Sequence, residues 1–276
     1  MGMDAFRFDG KRVLVVGGAT GMGAAAAQTA IDLGGEVIVM DVAEVKFPVA
    51  QTIKVDLRDR ASVDAAAAQV AGPIDAVFSC AGVADGTPGI MLINFIAQRH
   101  LIERLRDDGK LARGGAIAMI SSVAGLGWQA NLPTLMDFLS QPDWDAMAKW
   151  VEGHEGTDCY TFSKQAMNAY VSNEAFPLLK QGVRINAILP GPTDTPLAQA
   201  NKETWLTFGT DYRKETGGVN LLPREQGDVL NFLCSEASSG ITGVTLLVDQ
   251  GQVSSAITGS FPDEGILMLA SNAPMG

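Results

Sequence analysis

The sequence contains few of the residues from which metal centres and disulfide frameworks are built. Its 276 residues include only three cysteines and two histidines. Cys80, Cys159 and Cys234 are scattered, and neither His100 nor His154 has neighbours at a metal-ligand spacing. This distribution excludes a disulfide-stapled domain and a zinc ribbon, so we expect no metal ion. It favours reduced thiols in a cytoplasmic protein.

Positive charge is also scarce. Lysine and arginine total 20 against 31 acidic residues, for a net charge of −11. Nucleic acids and anionic membranes bind basic surfaces, so neither is an expected partner. No apolar run approaches the roughly 20 residues of a membrane span. The first residues lack the basic flank and apolar core of an export signal. We therefore expect a small molecule as the principal partner.

Glycine, in contrast, is concentrated behind the first apolar run, residues 12–16. The sequence there reads Gly17-Gly18-Ala19-Thr20-Gly21-Met22-Gly23 and continues into an alanine-rich predicted helix, 24–33. Glycines in this position let the backbone turn sharply and approach a pyrophosphate, to which the helix N-terminus offers free N–H groups. The strand–turn–helix order favours a dinucleotide site over a plain turn between a strand and a helix.

An acidic residue follows at the spacing that such a site needs. Asp41 ends the second predicted strand, 18 residues beyond Gly23. A carboxylate at this place accepts hydrogen bonds from the adenosine ribose and repels a 2′-phosphate. Val42 and Ala43 supply no compensating base. We therefore predict NAD rather than NADP, the alternative being a solvated strand end.

Strands and helices alternate along the chain. Predicted strands span 12–16, 36–41, 52–55, 74–79, 114–120, 183–189 and 244–248, and predicted helices span 24–33, 59–70, 90–105, 160–179 and 225–233. This alternation is typical of an α/β protein with a doubly wound parallel sheet of the Rossmann type. We predict a single domain over residues 1–276.

Two segments exceed this minimal fold: an insert, 126–158, and a C-terminal tail, 252–276. The insert carries Trp128, Trp144 and Trp150, and Pro142-Asp143 is typical of a helix start. Long segments outside the regular elements are usually functional or disordered, and the apolar content of these two argues against disorder. Each is either a substrate lid or a packing surface between subunits.

Tyr160 and Lys164 stand four residues apart at the start of a predicted helix. Residues at this spacing share one helix face. A nearby ammonium stabilises a phenolate, so we predict that Lys164 lowers the pKa of Tyr160 and makes it a workable acid–base group.

From about residue 11 to residue 251 the order of these motifs resembles the short-chain dehydrogenase/reductase family, single-domain type. Asp56-Leu57 matches the adenine-contacting pair of that family, Asn94 its helix asparagine, and Ser122 its catalytic serine. Cys80-Ala81-Gly82 stands where the family has Asn-Ala-Gly, a change that removes a polar structural tie. Ser122 and Tyr160 are 38 positions apart, far more than is common in the family. With the insert between them, this is most similar to the 3α-hydroxysteroid dehydrogenase/carbonyl reductase subgroup.

The resemblance implies four catalytic residues. Tyr160 would exchange a proton with the substrate oxygen, Ser122 would hold that oxygen, Lys164 would bind the cofactor ribose, and Asn94 would anchor a water that links Lys164 to solvent. Ser122 could instead only cap the backbone at a strand end, and Asn94 could simply bond backbone. The implied cofactor-binding residues are Gly17, Ala19, Thr20, Gly21, Met22, Gly23, Asp41, Val42, Asp56, Leu57, Cys80, Ala81, Gly82, Tyr160, Lys164, Pro190, Gly191, Thr193 and Thr195.

The expected function is an NAD-dependent oxidoreductase that interconverts an apolar secondary alcohol (steroid, alicyclic or aromatic) and its ketone. The alternatives are a 3-oxoacyl thioester reductase and a non-catalytic dinucleotide-binding relative. Asp41 and the acidic charge balance weigh against the former, since it would use NADPH and an acidic carrier. Members of the family usually pair through the helices that carry Asn94 and Tyr160, so a homodimer or homotetramer is expected.

Overall fold

The computed structural model describes residues 3–271 and contains a parallel sheet of seven strands, in the order β3-β2-β1-β4-β5-β6-β7. The strands are β1 Arg12–Val16, β2 Glu36–Asp41, β3 Gln51–Lys54, β4 Ile74–Ser79, β5 Leu111–Ile120, β6 Arg184–Pro190 and β7 Thr245–Val248. The predicted fold class is confirmed. Residues 1–2 and 272–276, the ends of the predicted domain and tail, lie outside the described residues.

The helices connect these strands and extend beyond the last one. They are α1 Gly21–Asp32, α2 Arg60–Gln69, α3 Ala97–Asp107, α4 Leu132–Leu139, α5 Trp144–Glu152, α6 Tyr160–Lys180, α7 Pro196–Ala200, α8 Lys202–Trp205, α9 Thr210–Thr216, α10 Pro223–Cys234, α11 Gln252–Thr258 and α12 Glu264–Ser271. The short helices α7, α8 and α9 fall in a stretch for which the sequence predicted no element. Among the described residues, no helix is both long and apolar enough to cross a membrane.

Helices cover both faces of the sheet. Val13 and Val15 of β1 join the core beneath α1 and α10, whereas Leu14 and Val16 join the core beneath α2, α3 and α6. A strand buried on both faces needs apolar residues at every position, because successive side chains point to opposite sides. This explains why the first strand is a continuous apolar run rather than an alternating one.

The predicted helix over 90–105 is not a regular α-helix. A π-helical turn, Leu92–Ile96, precedes α3 and contains Asn94. Such wide turns occur mostly as single insertions at functional sites.

The insert forms α4 and α5 and packs on the helices beneath it. Asp143 caps α5, as predicted, by accepting a hydrogen bond from Ala146 N at 2.9 Å. The ring of Phe138 contacts that of Phe95 at a centroid distance of 5.5 Å. The Trp150 ring stacks on Phe162 of α6. The insert therefore covers the helices that carry Asn94 and Tyr160.

The described part of the tail folds into α11 and α12. Ile266 of α12 is fully buried and packs in a small core with Val253, Ala256 and Phe208. Phe208 belongs to the segment between β6 and α10, so the tail is attached to the chain that follows the sixth strand. It therefore lies at the carboxyl end of the sheet, where ligands bind in this class of fold.

Candidate active site

Two neighbouring cavities lie at the carboxyl ends of the strands. One, of about 390 Å³, lies at the glycine turn and Asp41. The other, of about 330 Å³, lies at Ser122 and Tyr160. We call them the nucleotide cavity and the reaction cavity. Their shared wall consists of Met22, Cys80, Ala81, Gly82, Thr195 and Leu197. A ligand that fills the first can therefore extend into the second.

The glycine turn is built for close backbone approach. Gly17 has φ = +78°, and a Cβ there would lie 2.5 Å from Ala81 N. A Cβ on Gly23 would collide with the carbonyl oxygen of Gly17. Helix α1 begins at Gly21, and the side chain of its N-cap residue, Thr20, makes no capping hydrogen bond. Its first N–H groups therefore remain available to an anion, which fits a pyrophosphate.

Asp41 lines the nucleotide cavity and is held rigidly by backbone. Its Oδ2 accepts a hydrogen bond from Ala19 N at 2.8 Å, and its Oδ1 accepts one from Ala43 N at 2.9 Å. Each carboxylate oxygen retains a further lone pair for a ligand hydroxyl. Ala19 does not itself line either cavity among the described residues, so its contribution is to position Asp41. The carboxylate fits a ribose with free hydroxyl groups.

Arg58 also lines the nucleotide cavity, together with Asp56 and Leu57. Its guanidinium binds the Asp56 carboxylate at 2.7 Å and lowers the pKa of that group to about 2. The sequence analysis missed this cation because only the residues next to Asp41 were considered for phosphate recognition. Parallel strands end at one edge of the sheet, so the loop after β3 lies beside the loop after β2.

Ser122 and Tyr160 both line the reaction cavity, and the Ser122 hydroxyl group lies near enough to the phenol to lower its pKa in part. Ser122 Oγ also accepts a hydrogen bond from Ala124 N at 3.1 Å and caps the short turn Val123–Gly125. The capping interpretation of this serine is therefore confirmed, and its catalytic role stays a prediction. The cap orients the hydroxyl group that faces the phenol.

Lys164 lies behind the tyrosine and is only 2% exposed. Its Nζ donates a hydrogen bond to the carbonyl oxygen of Ile120 at 2.8 Å and lies 5.5 Å from the centre of the Tyr160 ring. Burial lowers the pKa of Lys164 to about 8, because the ammonium loses its hydration.

The predicted lowering of the tyrosine pKa is wrong for this structure. Burial raises the pKa of Tyr160 to about 12, the nearby Ser122 hydroxyl group opposes this in part, and the Asp85 carboxylate adds to it. The physical reason is that desolvation of a phenolate outweighs an ammonium that is directed to a backbone carbonyl. The i,i+4 spacing places the two groups on one face but does not bring Nζ to the phenol oxygen.

Asn94 is fully buried and makes structural hydrogen bonds. Its Oδ1 accepts from Val83 N at 2.8 Å, and its Nδ2 donates to Ser163 Oγ at 3.2 Å. A Cβ on Gly82 would lie 3.7 Å from Asn94 Oδ1 and 3.8 Å from Lys164 Nζ, so the three residues are neighbours. Asn94 does not line either cavity among the described residues, and its role with a water stays a prediction.

Gln98 supplies a structural tie that the sequence analysis missed. Its Nε2 donates to the carbonyl oxygens of Ala81 and Asn94, and its Oε1 accepts from Ser79 Oγ. These bonds join the end of β4 to the π-helical turn, in a region where Cys80 stands in place of the family asparagine. Burial raises the pKa of the Cys80 thiol, so this side chain stays protonated in the cavity wall.

The far wall of the reaction cavity is apolar. It is formed by Leu197, Trp205 and Phe208 from the segment after β6, with Leu269 from the tail. The predicted loop residues Pro190, Gly191, Thr193 and Thr195 line the same cavity. No described residue of the insert, 126–158, lines either cavity. Each of the two extra segments was predicted to be either a substrate lid or a packing surface between subunits, and of the two only the tail has a described residue in the cavity wall.

Among the described residues, no group of three or more metal-ligating side chains is close enough to hold a metal ion. Two neighbouring cavities, one of them lined by the hydroxyl side chains of Ser122 and Tyr160, suit a reaction between two organic molecules bound side by side.

Comparisons with known proteins agree with this arrangement. A family model described as short chain dehydrogenase matches residues 11–134, and one described as Enoyl-(Acyl carrier protein) reductase matches residues 146–252. The curated 3-alpha-hydroxysteroid dehydrogenase/carbonyl reductase of Comamonas testosteroni is 27% identical over 248 residues, covering 87% of this chain and 95% of the relative. The cis-4-hydroxycyclohexanecarboxylate dehydrogenase of Sinomonas cyclohexanicum is 28% identical over 257 residues, covering 87% and 96%.

A solved structure shows the same fold. The 3-alpha-hydroxysteroid dehydrogenase of Pseudomonas sp. B-0831, complexed with NADH, superposes with a TM-score of 0.73 at 24% identity. The match covers 92% of this chain and all of that one. The resemblance to the hydroxysteroid dehydrogenase/carbonyl reductase subgroup is therefore confirmed by sequence, and the architecture by structure.

Proposed function

Since this chain belongs to the short-chain dehydrogenase/reductase family, we propose that it is an NAD-dependent oxidoreductase that interconverts an apolar secondary alcohol and its ketone. The observation that carries the proposal is that two hydroxyl side chains, Ser122 and Tyr160, line a cavity that shares part of its wall with the cavity at the glycine turn. Such a hydroxyl pair is suited to hold and protonate one substrate oxygen.

Side chains of the protein carry out the proton transfer. Tyr160 exchanges a proton with the substrate oxygen, while the Ser122 hydroxyl holds the same oxygen and stabilises its developing charge. Because the pKa of Tyr160 is about 12, the neutral phenol predominates at neutral pH, which is the form that donates a proton to a ketone. The bound nicotinamide supplies the hydride acceptor or donor.

Binding of NAD is proposed from Asp41. Its carboxylate lines the nucleotide cavity, retains free lone pairs and would repel a 2′-phosphate. Arg58 is the one nearby cation among the residues described in that wall, and its charge is paired with Asp56. Lys164 would hold the cofactor ribose and Asn94 a water beside it, as the family resemblance implies.

The apolar wall of Trp205, Phe208 and Leu269 supports an apolar substrate, of steroid, alicyclic or aromatic type. The two relatives described above are named for a hydroxysteroid and for a hydroxycyclohexanecarboxylate, which are both cyclic secondary alcohols with different ring systems. The proposal for this chain therefore covers steroid, alicyclic and aromatic substrates.

The test is turnover of a panel of cyclic secondary alcohols with NAD, in the wild type, Tyr160→Phe and Ser122→Ala. We expect Tyr160→Phe to abolish turnover but to bind NADH normally, as measured by NADH fluorescence. Ser122→Ala removes one oxyanion donor and should lower kcat about 100-fold. Full activity in Tyr160→Phe would overturn the proposal. Tight NADH binding by a wild type that oxidises no alcohol would favour the non-catalytic alternative.

A second candidate is reduction of a 3-oxoacyl thioester, because the second family model is described by a reductase of another carrier-bound acyl group, an enoyl group. The acidic charge balance and Asp41 weigh against it, because this reaction would use NADPH and an acidic carrier. Faster reduction of acetoacetyl-coenzyme A with NADPH than of cyclic ketones with NADH would select it.

We also propose a cytoplasmic homo-oligomer, either dimer or tetramer. The insert packs on the helices that carry Asn94 and Tyr160, so any pairing at that face would involve the insert itself. Mass measurement by light scattering distinguishes the monomer, the dimer and the tetramer.

A further inference from the structure

Asp85 lies at the mouth of the reaction cavity, in the loop after β4. Its Oδ1 accepts a hydrogen bond from Tyr160 N at 2.7 Å. Among the described residues that line this cavity, it is the only carboxylate. The catalytic roles assigned above do not use it, and the family motifs do not include it.

The charge of Asp85 is not cancelled by a partner. Within residues 3–271, none of the ion pairs includes this carboxylate. The nearby cation in the cavity wall, Lys164, is buried and donates to the carbonyl oxygen of Ile120. The N-terminus of α6 offsets part of the negative charge, but a helix dipole is equivalent to only about half an elementary charge.

The field of Asp85 reaches the reacting oxygen. Its carboxylate is one of the groups that raise the pKa of Tyr160. An anion formed at the phenol is therefore disfavoured by Asp85, and a substrate anion brought into the same cavity meets the same repulsion. A neutral or cationic substituent does not.

We propose that Asp85 is a specificity residue that makes this site discriminate against alcohols and ketones bearing a carboxylate. This inference rests on the proposed function, and it narrows the substrate class to uncharged or positively charged cyclic alcohols. The apolar part of the cavity wall agrees, because Trp205, Phe208 and Leu269 offer a carboxylate no donor except the indole N–H.

The test compares two nearly isosteric substrates, cis-4-hydroxycyclohexanecarboxamide and cis-4-hydroxycyclohexanecarboxylate. The measured quantity is the ratio of their kcat/KM values in the wild type and in Asp85→Asn. Asparagine keeps the Oδ1 acceptor for Tyr160 N, so the substitution removes charge and preserves the position of the helix. Repulsion between two charges a few ångströms apart near a surface should make kcat/KM of the wild type about tenfold higher for the carboxamide than for the carboxylate. Asp85→Asn should reduce this ratio about fivefold. Added salt should narrow the wild-type ratio.

The matched control is Asp158→Asn. Asp158 is exposed two residues before Tyr160 and does not line the cavity, yet its substitution changes the net charge by the same amount. Its ratio should stay within about twofold of the wild type, because exposed charges outside the cavity are screened. An equal shift in both variants would overturn the inference, as would a wild type that turns over both compounds equally.

Measurements of substrate binding test the role of Asp85 independently of the proposed function. Equilibrium dialysis of the two compounds against the NADH complex measures the same ratio without turnover. If the wild type oxidises neither compound, the proposed function fails while the dissociation constants still test Asp85. A dialysis ratio that Asp85→Asn leaves unchanged, or a failure of both compounds to bind, contradicts the role of Asp85.

Discussion

The indole ring of Trp205 lies against the ring of Tyr160, with centroids 5.1 Å apart and planes inclined by 42°. One belongs to a short helix after the sixth strand and the other to the first turn of α6. Their contact makes Trp205 part of the wall next to the reacting phenol. Substitution of Trp205 therefore tests whether the substrate contacts the apolar wall of the cavity.

Trp205→Ala should weaken binding of apolar alcohols. The indole provides a large apolar contact, and its loss should raise KM about tenfold, with a smaller effect on kcat. Trp205→Phe retains an aromatic face and should recover most of the loss. Steady-state kinetics with a cyclic alcohol measure both. An unchanged KM in Trp205→Ala would show that the substrate does not contact this wall.

Trp150→Ala should have the opposite pattern. Trp150 is 8% exposed, stacks on Phe162 and donates a hydrogen bond to Asp137, but it does not line the cavity. Its removal should lower the free energy of unfolding by about 3–5 kcal/mol. KM of the folded fraction should stay near that of the wild type. Urea unfolding and kinetics on the same preparation check this, and a large KM increase with full stability would place the insert at the substrate.

Asp41→Ser should shift the cofactor preference toward NADP. Loss of a charged hydrogen-bond acceptor should weaken NADH binding by about 1.5–3 kcal/mol, and loss of the negative charge should improve NADPH binding. Arg58 is then the nearest cation described in this wall for a 2′-phosphate. Fluorescence titration of both reduced cofactors gives the two dissociation constants.

Arg58→Gln in the Asp41→Ser background is the control for that shift. It should remove the gain in NADPH affinity while leaving NADH affinity near that of Asp41→Ser. If the single and double variants bind NADPH equally, Arg58 takes no part in cofactor choice. A wild type that prefers NADPH would contradict the role of Asp41 itself.

Lys164 should make stability depend on pH in a defined direction. Its pKa is about 8 in the fold and about 10.5 when exposed, so between these values the unfolded chain binds more protons than the native one. The free energy of unfolding contributed by Lys164 therefore rises with pH over this window. Below pH 8 the full cost of burying the charge remains.

Lys164→Met has no such titration. The unfolding free energy of the wild type, minus that of Lys164→Met, should increase by up to about 1.4 kcal/mol per pH unit between pH 8 and 10.5. Urea unfolding of both proteins at pH 7, 9 and 10 measures this difference, in which the other titrating groups cancel. A flat difference would show that the buried ammonium is not destabilised.

The fold class was predictable from local pattern because each βα unit has its own signal. The apolar run before Gly17, the glycine spacing and the strand-end Asp41 identify the first unit without any long-range information. The helix cap at Asp143 was predictable for the same reason, since a cap depends on neighbouring residues. The π-helical turn around Asn94 was not predicted, because its link through Gln98 to the end of β4 is a tertiary contact that no local pattern indicates.

The amino-acid sequence by itself determined the parallel sheet, the family, and which residues stand at the ends of its strands. Only the tertiary structure decided what surrounds those residues. Asp85, Arg58, Trp205 and Leu269 come from four separate segments, and no spacing along the chain indicates that they line the two cavities. The pKa of Tyr160 belongs to this second class, because desolvation is set by everything packed around a group rather than by the lysine four positions away.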